Sequence, residues 1–418
     1  MKKNFLIILS IVVLGMVSCQ NNDDLDNENY ADYLVAHPIK MTTEEFKNGI
    51  DIIGPAPIQV SGKIYAYKNF IFVNDKATGV HVIDNAIPSN PRKVAFIKIP
   101  GNVDISIKDD YLYADSLSDL IVIDISDINN INMVKRMEGV LSGYVNWPFE
   151  ADFIEADGID YEKDIVVGWE TVTERRLKEE YEQRGGGGNI FFAEALNDAG
   201  GNTGQGGSLA RFKIVEDYLY AVDSHSINVF NIQDLDYPLD LEDVYAGFDI
   251  ETIFNRGNHL FLGSMSGMYI YDISAPDKPE FVSEFQHGTA CDPVVVDGDY
   301  AYVTLRGGNR CGATESGLFI VDISNIENPV LSETYAMDEP YGLGIKDEKL
   351  FICDGASGLK VYDKTDIEDL VSLNHFENII TFDVIPLEET LLMVGDEVLY
   401  QYEYLDEKIK LISTLNLN

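Results

Sequence analysis

Short apolar runs bounded by Gly, Asp, Asn and Pro recur along most of the chain, too brief for helices and evenly spaced. One unit repeats: an apolar strand, a polar turn, an aromatic-rich strand, a loop, an apolar strand ending in Asp, and a Pro- or Asn-rich turn leading to an outer strand. The aromatic strands begin at Phe70, Tyr111, Tyr218, His259, Tyr300, Lys349 and Thr390, separated by 41, 107, 41, 41, 49 and 41 residues. The third strands include Val80 to Asp84, Leu120 to Asp124, Ile227 to Asn231, Met268 to Asp272, Leu318 to Asp322 and Leu359 to Asp363, with a degenerate copy near Val398 to Tyr404. Four strands in about 40 residues make one propeller blade, and closure of the ring removes the exposed sheet edges. The pattern predicts an all-β fold, a β-propeller of seven four-stranded blades over residues 56–418.

The third strands, Leu120 to Asp124 and Leu318 to Asp322 above all, resemble the signature of the LVIVD-repeat family of bacterial surface lipoproteins, over roughly residues 60 to 418. That resemblance implies a propeller in a cell-surface setting and no common activity.

Two spacings depart from the period. The longer one leaves an insert at about 143–208, with a charged stretch from Glu170 to Arg184 and glycine clusters at Gly185 to Gly188 and Gly200 to Gly207, whose composition predicts a flexible loop. Phe153 to Ala156 and Asp164 to Trp169 read as strands, so an eighth, degenerate blade is the alternative count. The other departure is a longer loop, Arg306 to Gly317, containing Cys311.

The first residues, Met1-Lys2-Lys3, an apolar run from Phe5 to Gly15 and a Ser18-Cys19 junction, read as a signal peptide over 1–18 with lipidation of Cys19. The polar, acidic stretch behind it, within 19–55, reads as a tether. The expected location is the outer membrane, lipid-anchored, on the cell surface or facing the periplasm, with the membrane touched only through the anchor.

Formal net charge is −41, from 71 acidic and 30 basic residues, which excludes nucleic acid and bare anionic lipid as partners. A protein, peptide or glycan ligand of a monomeric propeller fits. With Cys19 lipidated, Cys291, Cys311 and Cys353 remain for an oxidising compartment; Cys291 and Cys311 fall in one unit and are expected to form a disulfide, while Cys353 in an apolar strand reads as a buried hydrophobe.

In a propeller, the outer-to-inner connections and the loops between second and third strands emerge together, and the insert and the Cys311 loop share that face. The loops begin with Asp75, Asp115, Asp223 and Asp354, with Arg306 at the matching place in the fifth unit; Asp104, Arg211, Glu251 and Asp383 lie near the starts of inner strands. Carboxylates converging on an axis suit a divalent cation. The alternative is that each Asp serves its own turn by accepting backbone N–H groups. Trp147 and Trp169 lie in the insert, and Tyr341, His287 and Asn309 map to the same face. Either Trp stacks on a ligand or staples the insert down.

No nucleophile elbow, His-Glu-x-x-His pair, phosphate-cradling loop or Cys-x-x-Cys pair is present, and no motif indicates a cofactor. The sequence favours a non-catalytic binding module. Two alternatives stand: a hydrolase or lyase using axial carboxylates such as Asp104 and Asp383, and a structural accessory of an outer-membrane complex.

Overall fold

The computed structural model describes residues 29–141, 148, 151–183, 203–287, 293–307, 316–406 and 408–418. Each repeat folds as an antiparallel sheet whose strands follow chain order from the innermost, A, to the outermost, D. The B strands start at the seven positions that set the sequence phase, from Phe70–Asp75 in blade 1 to Thr390–Gly395 in blade 7. Blade 1 spans Ser61 to Lys98, blade 2 Ile105 to Met137, blade 3 Phe212 to Tyr245, blade 4 Ile250 to Gln286, blade 5 Val294 to Ala336, blade 6 Leu343 to Phe376 and blade 7 Thr381 to Asn416.

Blades stack face to face, so B and C strands are covered on both sides and read as continuous apolar runs. Leu120, Ile121, Val122 and Ile123 are all fully buried. The Asp closing most C strands builds an Asx turn: Asp84, Asp124, Asp272, Asp322 and Asp363 each accept the N–H two residues on, and Asn231 does the same in blade 3. That bond is the physical content of the repeat's last letter. At the seam, Ile64, Ile71 and Ile83 of blade 1 pack against Ile385, Leu392 and Leu399 of blade 7. Ile58 N–H donates to Leu417 O, and Ser413 Oγ to Pro88 O. No blade mixes strands from the two ends of the chain.

Two expectations are corrected. Residues 153–154 and 164–177 make no eighth blade; they flank a strand at Tyr30–Thr42 in a separate three-stranded sheet. That strand pairs with Asp164–Leu177 along its whole length, from Tyr30 opposite Leu177 to Thr42 opposite Asp164. The stretch read as a tether is therefore ordered from Tyr30 onward. It continues through a one-turn helix, Thr43–Lys47, closed by a Thr42–Glu45 capping box, and Asp51–Ile53 then adds to the outer edge of blade 1.

At the end of the second glycine cluster, residues 203–207, the structure corrects the flexible-loop reading; Gly185 to Gly188 lie outside the described residues. Gln205 and Gly206 pair with Ala66 and Tyr65 on the inner side of blade 1's A strand, inside the ring. Thr203 bridges Lys108 at the far end of blade 2's A strand, and Gly207 N–H donates to Ile64 O. Ser208 Oγ accepts from Leu343 N–H in blade 6 at 2.7 Å, and Ala210 O accepts from Ile253 N–H in blade 4. Residues 203–211 thus run up the central channel, antiparallel to the inner strands, and touch blades 1, 2, 4, 6 and 7. Glycine is required there for room. A Cβ on Gly207 would lie 1.6 Å from Asp383 Oδ2, and one on Gly204 2.2 Å from the Tyr65 ring.

Candidate functional site

The predicted loop face divides into a filled axis and a rim. At the axis, Asp104 Oδ2 accepts the N–H groups of Arg211 and Phe212, and Lys63 Nζ lies 3.0 Å from the same oxygen. Asp383 Oδ1 accepts from Ser208 N, Ser208 Oγ and Val384 N at 2.7–2.9 Å, while its Oδ2 is buried without a hydrogen-bond partner. Burial pushes the Asp383 carboxyl up to about 7, against the pull of those donors and of Lys63. Burial likewise pushes Asp115 up to about 6 and Lys63 down to about 8. Asp104 and Asp383 are both met by one segment of their own chain, to which Arg211 itself belongs.

The acids at the B-strand ends serve backbone. Asp75 accepts Gln59 and Val60 N–H, Asp115 accepts Val103 and Asp104 N–H, and Asp354 accepts Asp338 and Glu339 N–H, each holding the connection that enters its own blade. Asp223 accepts His225 and Ser226 N–H within its own loop. These bonds favour the turn reading. Among the described residues no group of three His, Cys, Asp or Glu is placed to hold a metal ion.

Arg306, only 7 % exposed, lies with its guanidinium carbon 3.9 Å from the centre of the Tyr341 ring. Tyr341 Oη donates to Glu339. Trp169 is half-buried in the long insert strand opposite Pro38, and the next residue inward, Gly168, sits against Ala77 of blade 1. His287 lies beside Phe285 at the end of blade 4. Cys19, Trp147, Cys291, Asn309 and Cys311 fall outside the described residues, the expected disulfide with them. Cys353 is fully buried, and burial raises its thiol well above the ordinary value.

Sequence reasoning missed Lys63 and Ser208, whose partners lie far along the chain. It also missed a legible pairing. The second residue of the C strand answers the acid ending the B strand: His81 Nε2 lies 3.2 Å from Asp75, Asn228 Nδ2 donates to Asp223 at 3.1 Å, and Lys360 Nζ to Asp354 at 2.5 Å. A polar residue there breaks the apolar run only where the acid is present, apart from Asp115, which Asn102 serves instead.

The opposite face, formed by the A–B turns, carries a cavity of about 550 Å3 lined by Asn255, Arg256, Asp297, Lys346, Asp347 and Glu348 among others. Its acids are partly met by Lys364, which bonds Asp297 at 2.7 Å and approaches Glu348.

The chain is a seven-bladed propeller built from repeats. Residues 101–138 and 287–337 match the LVIVD repeat family. No protein of curated function matches in sequence. Among solved structures the chain is similar to the computationally designed protein Ika8, at 11 % identity over 87 % of this chain and 89 % of that one, with a TM-score of 0.50. It is also similar to Saccharomyces cerevisiae Sqt1, at 9 % identity over 87 % of both chains, TM-score 0.49. Moraxella catarrhalis BamB aligns at 8 % identity over 89 % of this chain and 99 % of that one, TM-score 0.46. The likeness to Ika8 is one of fold alone.

Proposed function

We propose that this chain is a non-catalytic binding module, anchored to the cell envelope by a lipid on Cys19, that recognises a protein, peptide or glycan through the loop face of its propeller. The observation that supports this most is the occupied axis. Residues 203–212 fill the channel and engage Asp104 and Asp383, where an open funnel would be needed for two carboxylates to act across a substrate. The rim of the same face instead presents aromatic groups, Tyr245 and Phe248 being more than half exposed.

Photocrosslinking groups placed at Phe248 and Glu339 on the loop face, and at Gly257 and Gly298 on the opposite face, test the reading in intact cells. Crosslinks to a defined partner from the loop face alone support it; crosslinks only from the opposite face overturn it. Protease treatment of the same cells reports whether the propeller is outside.

A second reading, a hydrolase or lyase, draws on one feature. Asp383, held near 7 with one oxygen unpartnered, has the protonation behaviour of a general acid. Turnover of a glycan or ester panel, lost in Asp383→Asn and retained in a rim variant, would establish that reading in place of the first.

A further inference from the structure

We propose that the rim where blades 3 and 4 meet is the docking site for a lysine- or arginine-bearing segment of a partner protein, an inference that rests on the binding-module reading above. Blade 3 alone has a broken outer strand, two short pieces at Leu239–Asp240 and Val244–Tyr245, where the other blades carry continuous strands of six to eight residues. The chain after the break folds onto blade 4. Tyr271 Oη donates to Ala246 O at 3.2 Å, and Gly247, at φ +142°, lies so flat on the Tyr269 ring that a Cβ would fall 3.0 Å from its Cζ.

That fold turns Tyr245 and Phe248 outward, 62 % and 64 % exposed. Their rings meet edge to face at 6.1 Å, and His225 meets Phe248 in the same way at 5.5 Å. A fixed, exposed aromatic cluster offers negative ring faces to a cation.

The charge around it is of one sign. Glu242 and Asp243, just before Tyr245, and Asp249, just after Phe248, are exposed, and Glu284 lies opposite Tyr269 in the ladder. Among the described residues none of Glu242, Asp243 and Asp249 has an ion-pair partner. Between Lys213 and Arg256 the sequence has ten Asp and Glu and no Lys or Arg. Partial desolvation first, and the neighbouring Asp240 and Asp223 after it, raise the Asp243 carboxyl. Rings supply contact area and the acids supply steering, the pairing that a Lys or Arg side chain satisfies with its apolar stem and charged head.

Binding of a fluorescein-labelled Lys-Gly-Lys-Gly-Lys peptide to the full mature chain, followed by anisotropy at about 0.15 M salt, where the screening length is about 8 Å, tests this. The probe's Nε-acetylated form is measured beside it. Expected are loss of binding on acetylation and at least about tenfold weakening in both Tyr245→Ala/Phe248→Ala and Glu242→Gln/Asp243→Asn/Asp249→Asn. Glu388→Gln/Glu389→Gln/Asp396→Asn, which removes equal charge from exposed turns of blade 7, should change affinity less than about twofold. Equal weakening in the rim and control variants would mean diffuse attraction to an acidic protein, and undiminished binding of the acetylated peptide would mean apolar docking; either overturns the proposal. If the lysine peptide fails to bind while loop-face crosslinks persist, this site falls and the binding module stands; if both fail, both fall.

Discussion

Asp383 and Gly207 show how closely the axial segment is fitted. The folded protein holds a proton on Asp383 up to about 7, the unfolded chain only to about 3.8. The folded state therefore binds more protons between those values, and this residue's contribution to stability falls as pH rises through that window. Asp115, raised to about 6, acts in the same direction. Urea denaturation at a series of pH values should give a shallower decline between pH 4 and 7 for Asp383→Asn than for the parent chain; parallel curves would show that the carboxyl is charged throughout. Gly207→Ala places a methyl group where Asp383 Oδ2 already sits, and should lower stability by about 1–3 kcal/mol, read as a shift in the urea midpoint. Cys353, fully buried with its thiol raised, should stay unlabelled by a maleimide in the native protein and label stoichiometrically in urea, which mass spectrometry of the Cys353 peptide would report.

At the scale of elements, the B and C strands were legible because burial on both faces leaves unbroken apolar runs, and the Asx-turn Asp marks where each C strand stops. D strands were weaker signals. Val330–Ala336 is exposed or half-buried throughout and mixes Ser332, Glu333 and Thr334 with apolar residues in no clean alternation. The strand at Tyr30–Thr42 was illegible for another reason: its partner lies more than a hundred residues away and belongs to no repeat. Gly204 to Gly207 misled because glycine density has two causes. Chain freedom and lack of room select the same residue, and only the neighbours Tyr65 and Asp383 tell them apart. Of the candidate site, residue types were readable and roles were not; an Asp that caps a connection and one that binds a ligand look alike until the donor is seen. The long strand pair of this three-stranded sheet gives a direct check. Removing residues 29–42 should leave Asp164–Leu177 unpaired and open to trypsin at Arg175 and Arg176, with the propeller core still resistant; digestion spreading into the blades would show that the ring depends on that pair.

Over the whole molecule a charge of −41 must be accommodated, and among the described residues most ion pairs are partly exposed. Added monovalent salt should raise the melting temperature by screening that repulsion, and DNA should show no binding at low ionic strength. The same field favours a cationic partner at the rim of blades 3 and 4. The ring itself closes by side-by-side packing of blades 7 and 1, with Ser208 and Gly206 bridging from the axis to the same two blades. This arrangement sets an order of events during synthesis. Residues 203–211 leave the ribosome well before Leu343 and Asp383, the groups that fasten Ser208, exist. The nascent chain must therefore carry its axle held by blades 1 and 2 but unfastened at Ser208 through more than a hundred residues of elongation, and a chain halted after blade 5 lacks both fastenings at Ser208.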